Sequence, residues 1–185
     1  MKNTLLAILL AFTASTSIAA EKSSPFNYNF ISAGLGTIKI DGIGSGSLLH
    51  FGGAFTSGKL IISGHFATDM ESGSDLTATT LGIGYHTPMS ADTDWIFGVA
   101  FTKLSLTLDG GGSGSANNTS IGASINKMIS DSASVSATLD ISLSGGGIGF
   151  GFGALYSFTD SIALGFDFTP GDGGSISVLS LKYSL

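Results

Sequence analysis

The sequence contains no cysteine, which excludes disulfides, thiolate nucleophiles, cysteine-based zinc sites and the lipidated cysteine of a bacterial lipoprotein. Charge is scarce as well. Asp, Glu, Lys and Arg together make up 11% of the chain, against roughly 25% in an ordinary soluble domain. The net charge is −6 and no basic run occurs, so electrostatic capture of nucleic acid is excluded. Past the N-terminus no apolar run approaches the ~18 residues of a membrane helix, so a helical membrane protein is excluded too. Disorder does not fit either, because 43% of the residues are hydrophobic. What the chain has in excess is glycine, 28 of 185 residues, roughly twice the usual share of about 7%. The length suits one domain.

The first twenty residues read as an export signal. Met1-Lys2-Asn3 is a short positive start, Leu5 to Phe12 an apolar core, and Thr13 to Ala20 a run dominated by small residues. Ser17 and Ala19 at the −3 and −1 positions place cleavage after Ala19, which predicts a signal peptide over 1–19 and a mature domain over 20–185. An N-terminal membrane anchor would need a longer apolar span.

The rest of the chain repeats with a period of two. Leu60, Ile62 and Phe66 alternate with Ser63 and His65; Leu81, Ile83 and Tyr85 with Gly82 and Gly84; Val135, Ala137, Leu139 and Ile141 with Ser and Thr. Glycine alternates most regularly around Ile148, Phe150 and Phe152. Period two is the strand signature. Nine turn signals separate the segments, among them Asp41–Ser47, Ser57-Gly58, Pro88–Asp94, Asp109–Asn118 and Pro170–Ser175. Ten strands follow, or eight if strand 1 (about Asn27 to Ile40) or one glycine-rich segment is irregular. No connector is long enough for a helix, so neighbouring strands should be antiparallel.

A soluble sandwich would carry Lys, Glu, Arg and Asp on its polar face; here that face is Gly, Ser, Thr and Asn. A Gly/Ser fibril would show internal repeats, and none is present. A strand tilted by ~40° needs about ten residues to cross a ~25 Å apolar band, which the segments supply. Backbone groups in lipid must all be paired, and a closed ring of strands pairs them. The expected fold is therefore all-β: a closed antiparallel up-and-down transmembrane β-barrel of ten strands. Tyr28, Tyr85, Trp95, Tyr156, Phe158 and Tyr183 fall near the short-turn end and predict an aromatic girdle there, with Phe66, Phe101, Phe152 and Phe168 near the other end.

The stretch Leu81-Gly-Ile-Gly-Tyr-His-Thr-Pro-Met-Ser90, then Asp94-Trp-Ile-Phe-Gly98, resembles the small OmpA-like outer-membrane β-barrel proteins of Gram-negative bacteria. So do Tyr156-Ser-Phe-Thr-Asp-Ser-Ile-Ala-Leu-Gly-Phe166 and the closing Leu179–Leu185. The resemblance implies an outer-membrane location, contact with lipid and lipopolysaccharide, and insertion by the barrel-assembly machinery as a monomer. It implies no catalytic residue set.

Chemistry inside such a barrel would need polar groups on the inward positions. If Ser57-Gly58 is the hairpin loop, His50 faces His65 directly across the ladder, both inward. Two imidazoles without a carboxylate make a poor metal site, so no metal and no cofactor are expected. Asp140, Asp167 and Lys182 are the inward charges, and Asp167 and Lys182, on adjacent strands, suggest an ion pair plugging the lumen. The Asp92-x-Asp94 pair is assigned to a turn with no histidine near it, and no Ser/His/acid group is found, so no enzymatic activity is expected. The glycine-rich segment Asp109–Asn118 lacks the Lys and helix of a phosphate loop and reads as an outer loop. Two roles remain: a narrow, weakly cation-preferring passage for small solutes, or a plugged barrel serving membrane integrity or surface interaction.

Overall fold

The computed structural model describes residues 24–185, apart from 42–43, 71–73, 109–111, 146 and 172–173. The signal peptide assigned to 1–19 lies outside the described residues.

Ten strands run in chain order: β1 Phe30–Ile40, β2 Gly44–Ser57, β3 Leu60–Asp69, β4 Ser74–Pro88, β5 Thr93–Leu108, β6 Ser113–Ser130, β7 Ala133–Ser142, β8 Ile148–Ser157, β9 Ile162–Gly171 and β10 Gly174–Ser184. Each pairs antiparallel with its sequence neighbours, and β1 pairs with β10, so the sheet closes into a barrel. Closure removes every sheet edge around the ring, which is the condition for burying backbone in hydrocarbon.

Alternation fixes the two faces. One register row runs Phe55–Ile62–Ile83–Val99–Ile121–Ile141–Ile148 across seven strands, every residue apolar and pointing outward. A second outward row runs Leu35–Leu179–Phe166–Ala154–Val135. The usual distribution of a globular protein is inverted. Leu81, Phe101, Phe152 and Leu181 are about half exposed, while the buried apolar set among the described residues is Leu48, Ala54, Ile61 and Ala163. An apolar surface this continuous is stable only against a non-aqueous neighbour.

Several boundaries differ from the sequence reading. Strand 1 starts at Phe30. Asp109–Asn118 is not all loop, because Ser113–Asn118 is strand and pairs with β5 out to Thr107↔Ser113. Likewise Gly44–Ser47, Pro170–Gly171 and Gly174–Ser175, within two other expected turns, are strand. Gly and Ser weaken strand propensity, but a ladder already running on one side extends through them.

The β2–β3 register also differs. Ser57 pairs with Leu60, so the two-residue loop is Gly58-Lys59 and His65 faces Gly52. Gly58 has φ +60° while no non-glycine residue has positive φ among those described. A two-residue hairpin of this kind needs positive φ at its first position, which glycine adopts without strain and Ser57 would not.

Candidate functional site

The inward positions converge on the lumen, built from small residues interrupted by a few charged and aromatic ones. On β2 and β3 the histidines are diagonal neighbours, since His50 pairs with Ala67 and His65 with Gly52. Their rings nevertheless stack, with centroids 5.5 Å apart and planes at 25°. The expected direct pairing is thus replaced by a diagonal one, and the shared face survives because the slip is of two residues.

Lys182 on β10 and Asp167 on β9 both point inward but form no ion pair. Asp167 is the partner of Val178, four positions along the strand from Lys182. The Lys182 ammonium lies over the Phe30 ring instead, 4.4 Å from its centroid, a cation–π contact. The expected Asp167–Lys182 plug is therefore absent. Each charged chain lies over a glycine: a Cβ at Gly165 would meet Lys182 Cε at 3.6 Å, and one at Gly153 would meet Asp167 Oδ1 at 2.9 Å. Asp140, on β7, occupies the space over Gly122 in the same way.

Four of the girdle residues, Tyr85, Tyr156, Phe158 and Tyr183, are exposed at the end where β1 begins and β10 ends. Trp95 stacks on Phe97 at the same end, 5.8 Å between centroids. Tyr28 does not belong with them. It precedes β1 and turns into the barrel mouth, where its hydroxyl donates to Asp94 Oδ2 at 3.0 Å and accepts from Asn126 Nδ2 at 3.2 Å. A polar tip needs partners when buried, and these two on β5 and β6 supply them.

Asp94 is the centre of this cluster and is wholly buried. It is the second residue of β5 rather than part of the turn, and His86 Nδ1 lies 3.4 Å from its Oδ2, contrary to the expected absence of a neighbouring histidine. Ser24 donates a short hydrogen bond to the same oxygen. The Tyr28 and His86 rings are 5.0 Å apart, and His86 Nε2 donates to the Gly58 carbonyl at 3.3 Å. Ser, His and Asp thus meet, but the serine hydroxyl engages the carboxylate and the imidazole's far nitrogen engages backbone. Within this cluster no hydroxyl hydrogen-bonds the imidazole in the way a nucleophile–base pair does. Burial and the Asp94 charge push the Tyr28 phenol well above its ordinary value.

Above the cluster a cavity of about 450 Å³ opens along β6–β10. Its walls include Met128, Ser136, Leu155, Asp167, Lys182 and Phe30, with Asp131 and Asp160 at the turns. Among the described residues no group of three His, Asp or Glu side chains stands close enough to hold a metal ion.

The His86–Asp94 contact was within reach of sequence arithmetic. Both residues have inward parity, and the Met89–Asp92 turn makes them diagonal neighbours, with His86 opposite Ile96 and Pro88 opposite Asp94. Nothing in the sequence signals the roles of Ser24 and Tyr28, which precede the first strand.

No family profile and no curated protein matches the chain. Solved structures do. A KdgM porin in complex with disordered oligogalacturonate aligns over 84% of this chain and 99% of its own, at 8% identity and TM-score 0.53. Another KdgM porin structure gives 0.52 over the same shares. Neisserial surface protein A aligns over 84% and 96%, at 13% identity and TM-score 0.47. At such identities the likeness to the KdgM barrels is one of fold: a closed antiparallel β-barrel shared across nearly the whole length of the porin.

Proposed function

We propose that this chain is an outer-membrane barrel that passes small solutes, with a weak preference for cations. The carrying observation is the cavity inside the lumen. Ten strands enclose more room than the eight that side chains just fill, and glycine and serine leave much of it empty. Three carboxylates, Asp131, Asp160 and Asp167, face that space against one ammonium, Lys182. Such a lining favours cations by simple electrostatics. The apolar outward rows and the girdle of Tyr85, Trp95, Tyr156, Phe158 and Tyr183 support a membrane setting with lipid and lipopolysaccharide around it. The short turns and both ends of the barrel domain then face the periplasm. In this reading the protein is a monomer placed by the barrel-assembly machinery, without enzymatic activity, metal or cofactor.

The named porin complex contains an acidic oligosaccharide, but the lumen here does not favour one. The sequence contains no arginine, and Lys182 is the one lysine on an inward strand position among the described residues. A polyanion would meet mainly carboxylates.

The second reading, a closed barrel serving membrane integrity or surface interaction, has one observation in its favour: Ser24–Tyr28 lies across the mouth. Planar-bilayer recording on the folded protein separates the two. Step conductances with a reversal potential displaced toward cations are expected in a salt gradient; silence from every folded preparation would overturn the permeability reading.

A further inference from the structure

The segment before β1 does not leave the barrel. β1 and β6 stand half-way round a ten-strand ring from each other. Tyr28, two residues before β1, still reaches Asp94 on β5 and Asn126 on β6. Residues 24–28 therefore cross the mouth along a diameter. At the near end the crossing is pinned where the Asn29 side-chain oxygen accepts from the Thr56 backbone N–H at 2.7 Å and from its hydroxyl. At the far end it is pinned by Ser24 and Tyr28 on Asp94. Between the pins it has no ladder partner, since β1 begins at Phe30.

On one side of the crossing the mouth is filled by His86 and its contacts with Tyr28 and Gly58. On the other side the cavity opens past the β6–β7 and β8–β9 turns, with Pro25 and Phe26 forming its wall. We propose that residues 24–28 are a gating strap: seated on Asp94 the segment narrows the mouth, and loss of that anchor swings it away on the Asn29 hinge and opens the lumen. At the far anchor Ser24 and Tyr28 both donate to Asp94 and Asn126 donates to Tyr28, so Tyr28 makes two of the three contacts. A segment held by few contacts and no ladder belongs to the low-stability end of a structure, where moving elements are found.

This rests on the permeability reading, and the test distinguishes failure of one from failure of the other. The chain has no cysteine, so Asn27→Cys with Ile129→Cys, both at exposed positions, gives a clean spin-label pair between strap and β6. A narrow inter-label distance distribution is expected in this background, and a broad one once Tyr28→Ala is added. Conductance of Tyr28→Ala should rise roughly twofold or more, because open cross-section sets it. Tyr28→Phe, which keeps the ring and removes only the hydroxyl, covers the case in which the alanine variant does not fold. A broad distribution before any anchor is removed overturns the strap, as does a narrow one after Tyr28 is changed. Release of the strap with unchanged conductance overturns the gate and leaves the passage standing. Release without conductance in any variant overturns both.

Discussion

The His65 ring occupies the space that Gly52, its cross-strand partner, leaves open. A Cβ at Gly52 would stand 2.6 Å from His65 Nδ1 and 3.2 Å from His50 Cε1. The missing side chain therefore lets two imidazoles stack on a wall where direct pairing places neither opposite the other.

Gly52→Ala should displace the His65 ring and break the stack, at a cost of about 1–3 kcal/mol typical of overpacking. Gly64→Ala is the control on the same strand pair, because there a Cβ meets only Leu81 Cδ2, at 3.7 Å. Thermal midpoints read from the gel mobility of heated, detergent-solubilised protein should fall for the first and hold for the second. Equal midpoints would mean that the lumen is looser than this contact requires.

Val99 sits mid-row in the outward belt, between Ile83 and Ile121. Val99→Arg should cost about 2–4 kcal/mol, the price of a guanidinium on the lipid face near the bilayer centre. Lys103, outward and four residues further along β5, shows where the belt gives way to water-compatible surface. Denaturant titration in vesicles checks this; an unchanged midpoint for Val99→Arg would place that face away from lipid.

The Tyr28 phenol is pushed up by burial, and the Asp94 carboxylate adds to the effect, while Asn126 and Ser24 oppose it. His86, the other titratable group beside it, touches the same carboxylate. A raised value in the folded state means that the docked strap holds its proton where the released one loses it. Docking is therefore fully supported below the ordinary tyrosine value of 10.0 and weakens as pH rises through and beyond it. The label-pair distribution should broaden at alkaline pH and be insensitive to it in Tyr28→Phe.

Charge selectivity should follow the cavity lining. Asp167→Asn removes one of three carboxylates and should lower the cation-to-anion permeability ratio, whereas Lys182→Met should raise it. Reversal potentials in a salt gradient measure both. Shifts of the same sign in the two variants would place the selective region elsewhere in the lumen.

Much of the wall was legible because its cause is local. An outward residue such as Ile83 is outward because its neighbours Gly82 and Gly84 are not, and this is visible within three letters. The His50–His65 pair was legible to within a two-residue shift of partner: same face, wrong partner, because a hairpin centred on Ser57-Gly58 does not put glycine at the first, positive-φ position as Gly58-Lys59 does. The Asp167–Lys182 pair was not, because adjacency of strands says nothing about the four-residue offset between their side chains. Ser113–Asn118, the Ser- and Asn-bearing end of the glycine-rich stretch Asp109–Asn118, reads as loop because propensity is weak there, while the paired β5 strand carries it onward.

Alternation by itself determined that this polypeptide makes strands, which side chains face outward, and that the wall must close, because each of these depends on residues adjacent in the chain and on the need to pair every backbone group in hydrocarbon. Which groups meet across the lumen was decided only when β1 joined β10. That closure sets the chain before Phe30 opposite β5 and β6, brings Ser24 and Tyr28 to Asp94, and leaves Lys182 over Phe30. Contacts made across a diameter depend on the circumference and on the offset of every strand around it, quantities that no local stretch of sequence encodes.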